Sequence, residues 1–345
     1  MKKSINNKKN IILLSIIIII ILSTVYLFYL IQPNQLQTKD FNFPRDEGRH
    51  QGYNESWYIC FDLTSEKEHH YSFHAQYAIQ SNDDTCFKIC SLTNISAQKY
   101  TYKIFQESPD DYTLDTSKLN ITYDYFWEKD RWYQREKELF NYNFSVGLLD
   151  NNAELILLNC TLTSNKKPIR INDTLLNKEV FMDETNKIWY YAQTNIDVNG
   201  TLLYNNQEIP VTGTAWIDRE WGERIMTKVE WFAIQLNNNY EIAASKILRE
   251  SNDICLATLI YPSGEQKDIS EDIEIITLNR TATGFSNKWQ ISSKNENFNL
   301  TIDTTMDEQV VKKWPAIQIF EGSCIVSGTF QTESINGFCF SEQNP

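Results

Sequence analysis

The sequence lacks the short motifs that mark several large enzyme classes. Its 345 residues contain no glycine-rich phosphate loop, no G-x-S-x-G nucleophile elbow and no H-E-x-x-H zinc motif. Histidine is also scarce, with four copies in the whole chain. These absences argue against a nucleotide-dependent enzyme, an α/β-hydrolase and a zinc protease, and we expect neither a cofactor nor a metal.

Acidic residues outnumber basic residues after the first 31 positions. Residues 32–345 carry 28 of the 32 basic residues and all 45 acidic ones, so their formal net charge is 28 minus 45, or −17. Neutralising phosphates requires Lys and Arg, so a surface this acidic does not suit nucleic acid or anionic headgroups. The length of this part exceeds the usual size of a single core, which predicts two domains.

One long hydrophobic run stands near the N-terminus. Residues 11–31 are apolar or uncharged over 21 positions, and a helix of that length reaches ~31 Å, enough to span a bilayer. Four lysines lie in residues 1–10, and no Lys or Arg follows the run until Lys39. We therefore predict a cytoplasmic tail over residues 1–10, a single-pass anchor over residues 11–31, and an extracytoplasmic remainder.

A cleaved signal peptide is the alternative to this anchor. The run exceeds the usual signal core of about 7–15 residues, and no A-x-A-like cleavage site follows it. The polar residues 32–42 are then expected to form a short stalk between the membrane and the folded part.

Cysteines and asparagines fit a chain outside the cytoplasm. Seven cysteines follow the anchor, an odd number that leaves at least one thiol free or bonded to another chain. Cys86 and Cys90 have metal-like spacing, but without a nearby second pair a local disulfide or plain burial is favoured over zinc. Nine N-x-S/T sequons fit an exported protein whose host glycosylates such sites: Asn54, Asn94, Asn120, Asn143, Asn159, Asn172, Asn199, Asn279 and Asn299.

Alternation of apolar and polar residues is the repeated signal after the stalk. In Tyr71–Ile79 the odd positions are apolar, while Ser72, His74 and Gln76 point the other way. Asn-rich breaks of the kind found in hairpin turns separate several such segments. The predicted strands are Trp57–Leu63, Tyr71–Ile79, Ala153–Leu162, Trp189–Thr194, Val229–Leu236, Glu241–Leu248 and Phe298–Asp303. An all-β protein follows.

The stretch from Tyr123 to Phe140 is ambiguous. It fits an amphipathic helix with Trp127, Arg131 and Arg135 in line, or two strands around Lys129-Asp130. We favour the strands, since sustained helical periodicity is scarce elsewhere in the chain.

The most distinctive segment runs from Val211 to Glu223. If it is a strand, Trp216 and Asp218 share a face with Thr212 and Thr214. A carboxyl group beside an indole is a plausible acid/base site, because an apolar wall raises its pKa. The alternative is an ion-pair cluster of Asp218, Arg219 and Glu220 that closes a strand end.

A second cluster comprises His50, Glu55, Trp57 and Tyr58. Histidine titrates near physiological pH and suits proton transfer, although a single histidine is more often an ordinary loop residue. His74, in the middle of a predicted strand, is expected to face solvent or a polar lumen.

These segments together resemble the AttH/CrtC family of lipocalin-like proteins, which includes carotenoid hydratases, fungal hydratases and cyclase-like relatives. The similarity runs from about Phe43 to Glu342 in consistent order. It departs from the family at Ser56, where a tandem Trp is broken, and over Thr101–Lys118, which has no counterpart. The matching elements are His50 with Glu55–Tyr58, Tyr71–His74, Trp189–Tyr191, Gly200-Thr201, Val211–Gly222, Trp231–Leu236, Glu321–Cys324, Val326–Thr329 and Gly337–Glu342.

The resemblance implies two tandem lipocalin-like β-barrels, over residues 43–225 and 226–345, with a pocket for a hydrophobic, isoprenoid-like molecule. It also implies protonation of an alkene followed by addition of water. Asp218 would be the acid, and His50 or Glu55 would orient the water. The catalytic candidates are thus Asp218, His50, Glu55 and Glu220, and the substrate-binding candidates are Trp57, Tyr58, His74, Tyr191, Trp216, Trp221, Trp231 and Gln235.

Three functions remain open from the sequence. The chain is a hydratase, isomerase or cyclase acting on a hydrophobic substrate, a non-catalytic lipid-binding protein, or a glycosylated surface protein with an empty barrel. Fold alone does not separate them, because one fold hosts many functions. Nothing in the sequence indicates an oligomeric state.

Overall fold

The computed structural model describes residues 36–37, 41–81, 84–107, 111–125, 128–135, 138–171, 188–222, 228–250, 252–313 and 317–344. The predicted anchor at residues 11–31 lies outside these ranges. No helix within them is long and apolar enough to cross a bilayer.

The described residues form β-strands and one short 3₁₀ turn at Arg45–Glu47. The strands up to residue 222 are β1 Leu36–Gln37, β2 Asn42–Phe43, β3 Asn54–Ser65, β4 His70–Ile79, β5 Cys86–Asn94, β6 Lys99–Glu107, β7 Tyr112–Leu114, β8 Asn120–Tyr125, β9 Glu128–Gln134, β10 Asn141–Leu149, β11 Leu155–Ser164, β12 Ile169–Arg170, β13 Ile188–Tyr204 and β14 Gln207–Gly222. The later strands are β15 Val229–Leu236, β16 Glu241–Ile247, β17 Ile254–Ile260, β18 Gln266–Asp268, β19 Ile273–Arg280, β20 Ser286–Ser293, β21 Phe298–Thr304, β22 Val310–Lys313, β23 Ile317–Phe330 and β24 Glu333–Asn344. The prediction of an all-β protein is confirmed.

The strands make two curled half-barrel sheets. The first half-barrel, residues 54–222, has the order β6-β5-β4-β3-β14-β13-β11-β10-β9-β8-β7, with β12 paired to β13. The second half-barrel, residues 229–344, has the order β18-β17-β16-β15-β24-β23-β21-β20-β19, with β22 paired to β23. Every strand pair described is antiparallel, as expected of sheets built from hairpins.

Three buried layers follow from the alternation of side chains. Tyr71, Phe73, Ala75, Tyr77 and Ile79 point into the first half-barrel. A second core, which includes Trp289, fills the other half-barrel. A third cluster joins the outer faces of the two sheets, where residues of β3, β13 and β14 meet residues of β15, β16 and β24. We call the space between these outer faces the cleft.

Two local predictions need correction. The segment Tyr123–Phe140 does contain two strands, but β8 ends at Tyr125 and β9 begins at Glu128, so Lys129-Asp130 lies within β9 rather than in the turn. The register explains the difference, because Lys129 lies opposite Asp124 across the hairpin, and Asp130 is buried in the half-barrel.

The predicted stalk is also partly folded. Leu36–Gln37 pairs with Asn42–Phe43. Phe41 is buried, with its ring centroid 5.9 Å from that of Trp221. The apolar side chains in this otherwise polar stretch therefore pack against the first half-barrel.

The cysteines all carry free thiols in this structure. Cys86 and Cys90 are both buried in the core of the first half-barrel, on the same strand. Plain burial, one of the two alternatives for this pair, describes them. Within the described residues, no group of three or more metal-ligating side chains occurs.

Candidate functional site: an acid-lined cleft

Strand β14 separates two polar environments. The prediction that Trp216 and Asp218 share a face is confirmed by a hydrogen bond from Trp216 Nε1 to Asp218 Oδ1, at 2.8 Å. Trp216 belongs to the cluster between the sheets, whereas Ile217 and Trp221 belong to the core of the first half-barrel. Successive side chains of a strand point to opposite faces, so Asp218 faces the cleft and Arg219 does not.

A glycine in the distinctive segment allows β14 to lie close to β3. A Cβ at Gly213 would be 1.9 Å from the carbonyl oxygen of Asp62. Any larger residue here would force the two strands apart. The close approach holds the register in which Asp218 lies opposite Tyr58.

Asp218 is a buried carboxyl group. It is 7% exposed, and burial raises its pKa well above the usual range, although hydrogen bonds from Trp216 and Tyr190 oppose the rise. Nearby Glu220 and Glu342 raise it further, because their negative charges disfavour a third. Burial therefore favours the protonated, neutral form of Asp218.

The second half-barrel supplies two more carboxyl groups to the cleft. Burial raises the pKa of Glu342 to about 7, and Glu220 adds to the effect. Burial likewise raises the pKa of Glu321 well above its usual range. Tyr58 Oη donates a hydrogen bond to Glu321 Oε2 at 3.0 Å, so the two half-barrels meet through a polar contact at this point.

Two adjoining cavities open beside these groups. The smaller, of about 240 Å³, is lined by Tyr58, Tyr190, Asp218, Trp231 and Glu342, among others. The larger, of about 490 Å³, combines apolar residues such as Ile79, Ile89 and Ile104 with glutamates and amide side chains. Residues of both cavities include Gln76, Ile188, Glu220 and Glu342. The pair forms one site with an acidic end and an apolar end, the usual arrangement of a small-molecule pocket.

Aromatic rings surround the acidic end. The ring centroids of Tyr58 and Trp231 are 5.5 Å apart, and Trp231 Nε1 donates a hydrogen bond to Tyr190 Oη at 3.0 Å. His74 lies behind Tyr58, with ring centroids 4.6 Å apart. His74 was expected to face solvent or a lumen, but it is fully buried because the second half-barrel covers this face.

Two of the other predicted catalytic residues, His50 and Glu55, lie on the opposite side of β14. Arg219 pairs with Glu55, and its guanidinium lies 3.9 Å from the centroid of the Trp57 ring. His50 stacks on Trp221 at 4.1 Å, and its Nδ1 is 3.3 Å from Arg219 Nη2. Glu55 borders the larger cavity, but its carboxylate is neutralised by Arg219.

Asp218, Arg219 and Glu220 therefore do not form an ion-pair cluster with one another, which was the alternative for this segment. The partner of Arg219 comes from β3, on the face opposite Asp218. Glu220 is exposed at the rim and lines both cavities. The pairing of Arg219 with Glu55 places its guanidinium on the face of β14 away from Asp218.

The comparisons with known proteins agree with this architecture. The model of the AttH-like family matches residues 34–342. The chain belongs to the AttH-like family. A comparison with curated protein sequences finds no match.

Solved structures share the fold of this AttH-like chain. An AttH protein from Nitrosomonas europaea is 17% identical, with a TM-score of 0.69 over 90% of this chain and 99% of its own. Kievitone hydratase from Nectria haematococca is 14% identical, with a TM-score of 0.67 over 91% and 95%. The structure of CghA with Sch210972 is 10% identical, with a TM-score of 0.53 over 84% and 88%. At these identities the likeness is one of fold.

The predicted substrate-binding residues of the AttH-like chain divide between three places. Tyr58, His74, Trp216 and Trp231 lie in the cleft. Trp57, Tyr191 and Trp221 lie inside the first half-barrel. Gln235 bridges the sheets elsewhere: its Nε2 donates hydrogen bonds to the carbonyl oxygens of Thr194 and Ala215.

Sequence reasoning missed three residues of the site. Glu321, Glu342 and Tyr190 all belonged to segments that resemble the family, but no local pattern singled them out. Their place in the site depends on how the outer faces of the two sheets pack together, which the sequence alone does not show. The sequence feature that came nearest to identifying them is the presence of Glu321 and Glu342 on the two strands of the β23–β24 hairpin.

The predicted glycosylation sites differ in exposure. Asn94 is buried, and its Oδ1 accepts a hydrogen bond from the backbone N–H of Ala97 at 2.9 Å. Asn172 lies outside the described residues. Asn54, Asn120 and Asn143 are half-buried, whereas Asn159, Asn199, Asn279 and Asn299 are exposed.

Proposed function

We propose that this AttH-like protein is a hydratase that adds water to a carbon–carbon double bond of a hydrophobic molecule bound in the cleft. The observation that carries the proposal is Asp218, a carboxyl group whose pKa is raised by burial and that lines a cavity together with Tyr58, Tyr190 and Trp231. A protonated acid and electron-rich rings are what alkene protonation requires, because the intermediate is a carbocation.

The residues of the cleft can complete a balanced cycle. The Asp218 carboxyl transfers its proton to one alkene carbon, which leaves a cation on the other carbon beside Trp231 and Tyr58. Water adds its oxygen to that cation and releases a proton to Glu342, whose pKa of about 7 suits a base at neutral pH. The proton then returns to Asp218, so the reaction consumes only the alkene and water.

The larger cavity supports a hydrocarbon substrate. Ile79, Phe87, Ile89 and Ile104 line it, and the cavity continues to Glu220 and Glu342 at the acidic end. One of the structures that share this fold is named as a hydratase of kievitone. An isoprenoid-like chain in the apolar end would bring a double bond to Asp218.

The proposal extends to location. The charge-free residues 11–31 preceded by lysines support a membrane anchor with the folded part outside the cytoplasm. The exposed sequons at Asn159, Asn199, Asn279 and Asn299 support glycosylation there. Enrichment of the chain in membrane fractions, with a mass shift on deglycosylation, tests both parts. A mature N-terminus near Gln32 would show that residues 11–31 are a cleaved signal peptide and contradict the anchor.

A non-catalytic lipid-binding protein is the second candidate. Asp218 accepts a hydrogen bond from Trp216, whose ring centroid is 6.3 Å from that of Trp231, so the same carboxyl group can serve to orient Trp216 in the packing between the two sheets. Under this function the cleft binds a hydrophobic molecule and leaves it unchanged.

Mass spectrometry of co-purifying molecules separates these functions. The full chain, the Asp218→Asn variant and a matched Asp197→Asn control, altered at an exposed position of β13, are purified in detergent and their ligands extracted. A hydratase yields molecules heavier by one water, and these disappear in Asp218→Asn alone. Identical ligands in all three preparations favour the binder, and recovery of no ligand from any preparation contradicts both.

A further inference from the structure

Two glutamates from the second half-barrel lie directly opposite each other in the cleft. Glu321 of β23 and Glu342 of β24 are register partners in an antiparallel pair, which places their side chains on the same face. Glu321 is 1% exposed, and Glu342 lines both cavities. Their Cβ atoms are therefore separated by about 4.5–5.5 Å, the spacing of opposed residues in a sheet.

This pair has little to balance a double negative charge. Within the described residues, the single ion-pair contact of either carboxyl group is His74 Nε2, 4.0 Å from Glu321 Oε2. Burial lowers the pKa of His74 to about 3, so this histidine is neutral. Two carboxylates this close in a buried site cannot both ionise readily, and one of them retains a proton.

Hydrogen-bonding capacity remains on the side away from the cavities. Tyr58 donates to Glu321 Oε2, while Glu321 Oε1 and both ring nitrogens of His74 have no hydrogen-bond partner. Buried polar atoms without partners are rare and call for an explanation. Neither Glu321 nor His74 is among the residues that line the two cavities.

We propose that Glu321 and Glu342 form a coupled carboxyl dyad that holds one proton, in which Glu342 is the base for the attacking water and Glu321 is a positioning residue that sets its basicity. The proposal rests on the proposed function. Water loses its proton to Glu342 as its oxygen bonds to the cation, and the proton lost by Asp218 to carbon is thereby recovered. The titratable groups that face the dyad are Tyr58 and Cys60 of β3, His74 of β4, Tyr100 of β6, and Asp218 and Glu220 of β14.

Infrared titration of the glutamate carboxyl groups tests the dyad without any substrate. The full chain in detergent, with isotopically labelled glutamate carboxyls, is compared with Glu321→Gln, Glu342→Gln and the exposed control Glu333→Gln of the same hairpin. The wild type should lose dyad protons in two steps, one near pH 7 and one well above. Glu342→Gln should keep one step, moved down from the upper value by about one pH unit or more, because the neighbouring charge is gone.

Each result decides the matter. A remaining step in Glu342→Gln that stays at the upper value shows independent carboxyl groups and overturns the dyad, as does a single step in the wild type. Glu47 also has a pKa raised to about 7, so a Glu47→Gln variant identifies its step and the steps that remain are those compared. Gln mimics the protonated form, so folding is expected to survive. A two-step titration in a protein that yields no hydrated ligand would support the dyad and reject the hydratase function. A one-step titration in a protein that does yield hydrated ligand would support the hydratase function and reject the dyad.

Discussion

The interior of the first half-barrel and the cleft both bury charged side chains, but they treat them differently. Inside the half-barrel, Lys88 pairs with Asp130 and Arg219 pairs with Glu55. In the cleft, Asp218, Glu321 and Glu342 form no ion pair with Lys or Arg in the described part of the chain. A buried charge is costly unless it is paired or neutralised by a proton. The half-barrel uses pairing, and the acidic end of the cleft uses protons, whereas Glu241, elsewhere between the half-barrels, pairs with Lys166.

The difference indicates which buried charges are architectural. Lys88 Nζ lies 2.5 Å from Asp130 Oδ2 and 2.5 Å from the carbonyl oxygen of Gly147, and Tyr77 Oη donates to Asp130 at 2.7 Å. These contacts join β4, β5, β9 and β10 across the interior. A fully satisfied network fixes structure, whereas a carboxyl group that keeps a proton remains able to give it up.

The largest effect is expected from Asp130→Asn. Removing the charge leaves the ammonium of Lys88 buried without its counterion, which costs about 3–5 kcal/mol in the free energy of unfolding. Chemical denaturation measures the loss. The control is Asp124→Asn on the neighbouring strand, whose contact with Lys129 is 3.6 Å long and exposed, so about 0–1 kcal/mol is expected. Equal losses in the two variants would contradict the distinction between paired interior and surface charges.

The cleft should instead make stability depend on pH. Glu342 has a raised pKa of about 7 in the folded chain, so the folded state holds a proton that the unfolded state has released above its ordinary value of 4.5. The contribution of Glu342 to stability therefore falls as pH rises from about 4.5 to about 7 and is level beyond, with a loss of up to about 3 kcal/mol. Glu342→Gln removes this part of the slope, which denaturation at a series of pH values would detect.

Glu47 is an exception to the pairing of buried charges inside the first half-barrel. It lies inside the first half-barrel, yet burial raises its pKa to about 7, despite hydrogen bonds from Tyr142 and Gln193 and the charge of Arg219. It contributes over the same pH window, so Glu342→Gln should remove roughly half of the combined slope. The double variant with Glu47→Gln should remove both parts. A slope unchanged in Glu342→Gln would mean that Glu342 is ionised in the folded chain.

The strands were predictable, but the site was only partly so. Alternation identified β15 as Val229–Leu236 and placed Trp216 with Asp218, because period two is a local property. It could not tell which face of β14 meets the second sheet. His50 and Glu55 were grouped with Asp218 by motif, but the alternation of side chains puts Arg219 and Glu55 on the other face. The partners Glu321 and Glu342 come from a hairpin more than 80 residues away along the chain, beyond any local pattern.

The smallest effect on stability, and the most informative, is expected from Asp218→Asn. Asn has nearly the shape of a protonated Asp, and burial raises the pKa of Asp218 well above its usual range, so the free energy of unfolding should change by about 1 kcal/mol or less. Chemical denaturation beside Asp130→Asn compares one substitution in both regions. A loss of about 3 kcal/mol or more would show that Asp218 is a buried carboxylate with a structural partner, and the cleft would then resemble the interior. A small loss together with disappearance of the hydrated ligand would show that the carboxyl group holds a proton which the fold does not need and the reaction does.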